Sequence, residues 1–143
     1  MTEVQFHVNV RDRLQYTCRL LRKASRLGVR VAVTGSPATL AELDRALWVF
    51  EADEFLPHAT VGVSALLSSA QARAPVWLVA QPDRGTPRPV LVNLGADVAS
   101  GFEAYQRVIE VVSTDDEDRE AGRNRWRQYQ ACGYTPSKHE TTA

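Results

Sequence analysis

Five short runs of aliphatic and β-branched residues recur along the 143-residue chain, and helical patterns lie between most of them. No other feature constrains the fold as strongly. "VQFHVNV" (4–10) alternates apolar and polar residues with a period of two, as a half-buried strand does. "VRVAVT" (29–34), "PVWLVA" (75–80), "PVLVNL" (89–94) and "RVIEVVS" (107–113) read as further strands. A helix is expected over 13–27, with Leu14, Cys18, Leu21 and Ala24 on one face and Gly28 at its C-terminal stop. A second begins after Ser36, an N-cap, with Pro37 at its first position. Leu40, Leu43, Leu47 and Phe50 then form one apolar stripe. "SGFEAYQ" reads as a short helix. The last helix is expected from Thr114, which pairs with Glu117 as a capping box, to Gly133. Asp115, Asp116, Glu117 and Asp118 favour its positive end. Residues 51–74 read as a long loop with one short helix over "VSALLSS", and 135–143 as a frayed tail. Strand and helix in alternation imply an α/β fold: a single domain over 1–143, with a mostly parallel twisted sheet and helices on both faces.

Charge narrows the function. Lys+Arg and Asp+Glu are 17 each, so the formal net charge is zero. A protein that lives on a phosphate backbone is usually basic, so a neutral chain suits one local basic patch better. Cys18 and Cys132 are far apart and read as reduced thiols. The N-terminus lacks a signal-peptide pattern, and no apolar run approaches the ~20 residues of a membrane span. The expectation is a soluble cytoplasmic protein.

Enzyme chemistry is hard to find. "VTGSPATLAE" resembles the first crossover of a nucleotide-binding fold, but it has one glycine, Gly35, where a dinucleotide site wants three. No Gly-Lys-Ser/Thr and no nucleophile elbow follow. His7, His58 and His139 are not at metal-ligand spacing with one another or with cysteine. Neither a cofactor nor a metal is expected.

Two stretches remain. In "RNRWRQYQACGY" (123–134), Arg119, Arg123, Trp126 and Gln130 share a helix face, with Arg127 and Tyr129 at its margins. That face has no aliphatic residue. It is either a solvated face whose tryptophan lies flat on the domain, or a groove with arginines around an aromatic shelf. A groove of that kind takes carboxylates by forked hydrogen bonds. Direct binding of single-stranded nucleic acid by the same helix is the alternative. In "LDRALWVFEADEFLPH", Trp48 points away from the apolar stripe, and Phe55, Leu56, Pro57 and His58 follow on a loop. They either tuck into the core or form an apolar patch for a partner.

These two stretches, with "APVWLVA", "PVLVNL" and "VIEVV" in the same order, resemble the chi subunit family of bacterial DNA polymerase III. The resemblance runs from "VQFHV" to Tyr134. It implies a non-catalytic accessory subunit within a polymerase assembly, an α/β fold of nucleotide-binding appearance without a nucleotide. It further implies a bridge from the clamp loader, through the small psi subunit, to single-stranded DNA-binding protein, whose acidic C-terminal tail it grips. On that resemblance Arg123 meets the tail's terminal carboxylate or an aspartate. Arg119 and Arg127 supply the positive surround, Trp126 a wall for the apolar terminus, and Val112 the floor, with Tyr129 and Gly133 nearby. The surface for psi, or for a helicase competing with it, falls on Trp48, Phe55, Pro57 and His58. The expected state is a monomer alone and a heterodimer with psi, touching DNA only indirectly. The stretch between His58 and Pro75 is longer than the family's usual one.

Overall fold

The computed structural model describes residues 2–49, 56–61, 69–82 and 88–141. Seven strands form one sheet: β1 (Glu3–Val10), β2 (Val31–Thr34), β3 (His58–Val61), β4 (Val76–Val79), β5 (Val90–Asn93), β6 (Arg107–Ser113) and β7 (Ser137–Glu140). Four α-helices accompany them: α1 (Arg13–Arg26), α2 (Pro37–Val49), α3 (Ser69–Arg73) and α4 (Asp116–Ala131), with a 3-10 turn at Phe102–Ala104. The strand order is β3-β4-β2-β5-β6-β1-β7, and every pairing is parallel.

The all-parallel sheet needs cover on both faces, and it has it. On one face Cys18 and Leu21 of α1 and Leu40, Leu43 and Leu47 of α2 meet Val31, Val33, Val76, Leu78 and Val92. On the other, Tyr129 and Trp126 of α4 and Phe102 meet Val4, Phe6, Leu91 and Val108. The central strands β2, β4 and β5 are buried along their whole length, which is why they read as unbroken apolar runs. Ser36 caps α2 as expected: its Oγ accepts from Thr39 N at 3.1 Å. Phe50, the last member of the α2 stripe, lies outside the described residues.

Strand β1 keeps its alternation only to Val8. Asn9 has φ of 63°, and the pairing with β6 shifts between His7 and Val10. The extra residue turns Val10 to the α1–α2 face, although Val4 and Phe6 pack on the other.

Three sequence expectations are corrected. Residues 58–61, read as loop, form the edge strand β3 on β4; four residues behind a proline are too few to show a period. Residues 137–140, read as frayed tail, form β7, paired in register with Gln5–Val8. "SKHE" is exposed throughout, so no burial pattern marks it as a strand. Helix α4 starts at Asp116, and its N-cap, Asp115, makes no side-chain cap bond. The Thr114–Glu117 capping box is replaced by Asp118, which accepts from Ser113 N at 2.7 Å and from Arg13 Nη1 at 3.1 Å. Most of "VSALLSS" lies outside the described residues.

Candidate functional site

Helix α4 has almost no aliphatic side chains, so Trp126 and Tyr129 supply its apolar packing on the sheet. Three further features hold it there. Gly122 removes a side chain where one could not fit: a Cβ there would come within 2.9 Å of Val112 on β6. Arg125, at 1% exposure, reaches Glu110 at 0% on β6 through a 2.8 Å Nε–Oε1 bond. Tyr129 donates its hydroxyl to the other Glu110 oxygen at 2.6 Å, and Asn93 Nδ2 donates to that same oxygen at 3.0 Å. Arg125 Nη1 also holds the Ala96 carbonyl at 3.1 Å. Burial pushes the Glu110 carboxyl up, and the Arg125 guanidinium with the Tyr129 and Asn93 donors pulls against it. Burial and the Glu110 carboxylate push the Tyr129 phenol up.

This inner face, Gly122–Arg125–Tyr129, was not read from sequence. In the sequence Arg125 is one of three alternating arginines, Arg123, Arg125 and Arg127, and nothing local sets it apart. The spacing of 3 and 4 among these residues was the available signal, hidden because none is aliphatic.

The inner anchors leave the outer face to shape a groove of about 660 Å³. Phe6 and Val8 of β1 and Val112 of β6 form its floor. Arg119, Arg123, Trp126, Arg127 and Gln130 line it from α4, and Lys138 and Glu140 from β7. Trp126 is half-buried, its ring 5.0 Å from that of Phe6. Arg127 donates to Asn124 Oδ1 at 3.2 Å. Arg119 and Arg123 are exposed and have no ion-pair partner among the described residues. Such a groove offers forked donors to carboxylates and an apolar shelf beside them.

The structure brings Arg119, Arg123, Trp126, Arg127 and Val112 together, and separates two residues expected beside them. Tyr129 is buried beneath the helix, edge-on to Phe6 and Phe102. Gly133 does not line the groove. With φ of 90° it ends α4, where Tyr134 N closes back on Tyr129 O at 3.0 Å.

The second aromatic region lies at the far edge of the sheet. Trp48 is 60% exposed at the end of α2, its ring 5.1 Å from His58. The His58 side chain is buried: Nδ1 donates to Leu56 O at 2.8 Å, and Nε2 sits 3.0 Å from Asp44 Oδ1. Pro57 is exposed between them and Leu56 is buried. Phe55 lies outside the described residues.

The family model described as "DNA polymerase III chi subunit, HolC" matches residues 1–137. The chain belongs to the DNA polymerase III chi subunit family. It is 34% identical to DNA polymerase III subunit chi of Pseudomonas aeruginosa, over 97% of this chain and 96% of that one. It is 27% identical to the Escherichia coli subunit of the same name, over 84% and 80% of the two chains. The Haemophilus influenzae subunit is 26% identical over 86% and 83%. Membership puts this chain in the DNA replication machinery, as a subunit of DNA polymerase III. Among the described residues, no helix is long and apolar enough to cross a membrane, and no three His, Cys, Asp or Glu side chains gather as metal ligands.

Proposed function

We propose that this chi-family subunit is a non-catalytic cytoplasmic adaptor, and that the α4 groove takes the acidic C-terminal tail of single-stranded DNA-binding protein. One observation carries the reading: guanidinium groups with no ion-pair partner among the described residues surround an aromatic shelf and an apolar floor, on a protein with no net charge. A peptide with carboxylates and one apolar end matches both halves of that surface. A nucleic-acid strand asks for a longer basic track. In this reading Arg123 holds the terminal carboxylate or an aspartate. Arg119 and Arg127 hold the remaining acidic residues, and the apolar end rests on Trp126 above Val112. The patch at Trp48, Pro57 and His58 takes the psi subunit of the clamp loader or a helicase that competes for it. Here Trp48 and Pro57 supply contact, and His58 fixes the Trp48 ring.

Titration of isotope-labelled protein with the tail peptide tests the site by NMR. The expected shifts centre on Val112, Arg123 and Trp126 and leave Trp48 unmoved. Shifts centred on Trp48, or scattered over the surface, would contradict the assignment.

A further inference from the structure

We propose that β7 is the second wall of the groove, and that Lys138 on it, paired with Glu140, is a specificity residue for an extended acidic peptide. The inference rests on the tail-binding reading above and adds a partner to it that does not belong to α4.

The pairing of β7 with β1 fixes which side chains face the groove. Phe6 is registered with Lys138 and Val8 with Glu140. Registered residues of parallel neighbours point to the same face, and Phe6 and Val8 are the groove floor. Lys138 and Glu140 therefore stand on the side of the floor opposite α4, with Gln5–Val8 backbone bonding behind them. The shift at Asn9 ends the β1 floor there, and Asn9 Nδ2 donates to Thr141 O at 3.3 Å, tying the residue after β7 to the floor strand.

The charges are arranged for exchange. Among the residues lining the groove, four are cationic (Arg119, Arg123, Arg127, Lys138) and one, Glu140, is acidic. Lys138 Nζ lies 3.4 Å from Glu140 Oε1, with both side chains more than half exposed. An exposed pair of this kind contributes little and gives way easily to a better acceptor. Glu140 therefore occupies the position that a ligand carboxylate takes. With cations on both walls, the groove selects a peptide with at least two carboxylates, one reaching α4 and another reaching Lys138.

Fluorescence anisotropy with labelled tail peptide at low salt tests this in the full chain. Lys138→Ala is expected to weaken binding about three-fold and Lys138→Glu more, while Glu140→Gln tightens it about two-fold. Lys138→Ala is expected to have no further effect on a peptide whose aspartates are replaced by asparagine. Unchanged melting midpoints keep the comparison fair, since both side chains are exposed. If Lys138→Glu and Glu140→Gln bind as wild type while Arg123→Ala loses the peptide, the β7 wall is wrong and the groove reading survives. If Arg123→Ala also binds as wild type, the groove reading falls and this inference with it.

Discussion

Two tryptophans mark the two candidate surfaces, and their settings differ. Trp126 is half-buried against Phe6 on a concave floor, among cations from α4 and β7. Trp48 stands 60% exposed at the end of α2, backed by a buried His58 that is itself held by Asp44. The first setting places charge around a modest apolar shelf, so its ligand must bring carboxylates and its affinity must fall with salt. The second presents an apolar plate with its polar groups tucked behind, so its partner must bring apolar area and salt must matter little. In the proposed reading the same residue type serves recognition by charge at one edge of the sheet and by area near the other.

The largest expected effect comes from breaking the anchor under the groove. Arg125→Ala leaves Glu110 buried without its cation, and such losses cost about 3–5 kcal/mol. Denaturant unfolding should show that loss, together with loss of tail binding. A denaturant midpoint unchanged from wild type would mean that Arg125 does not hold α4. Next is Arg123→Ala, which removes charge-assisted bonds of about 1.5–3 kcal/mol from the groove without touching the core. Peptide affinity should drop ten-fold or more, with the circular dichroism spectrum and psi capture unchanged. Trp48→Ala sharpens the contrast from the other side. Truncating a central aromatic contact costs about 2 kcal/mol, so calorimetry with psi should show weakened binding that is insensitive to salt. Tail affinity should not move, and a parallel loss at both surfaces would remove the distinction between them.

The smallest effect concerns the β7 wall. His7 hydrogen-bonds Tyr16 and packs 5.0 Å from His139 of β7. Its pKa is lowered to about 4, first by burial and then by His139, Arg107 and Lys23. The folded protein therefore binds fewer protons at this site than the unfolded chain between about pH 6.5 and 4. Stability from this group is intact above that window and declines as pH falls through it. Melting curves should lose stability on acidification in wild type and lose less in His7→Gln. Equal slopes would show that His7 is not the responsible group.

Much of this architecture was legible in the chain. The five apolar runs became β1, β2, β4, β5 and β6 because buried parallel strands need unbroken aliphatic surface. The outer face of α4 was legible because Arg119, Arg123 and Trp126 share it with no aliphatic neighbour. What escaped detection lacks apolar signal. β7 is four exposed polar residues, defined only by their partner β1. The inner face of α4 is a glycine, an arginine and a tyrosine, whose meaning depends on Glu110 and Val112 of β6, the preceding strand. Tyr129 drew attention as an aromatic beside arginines, yet its hydroxyl is committed to Glu110 beneath the helix.

The most direct test of the central claim is one anisotropy titration with three probes. These are the tail peptide with a free terminal carboxylate, the same peptide amidated, and labelled oligo-dT. The expected result is saturable binding of the free acid, clearly weaker binding of the amide and little binding of oligo-dT. Tight oligo-dT binding with no preference for the free acid would show that the arginines of α4 read phosphate and that the groove is not a peptide site.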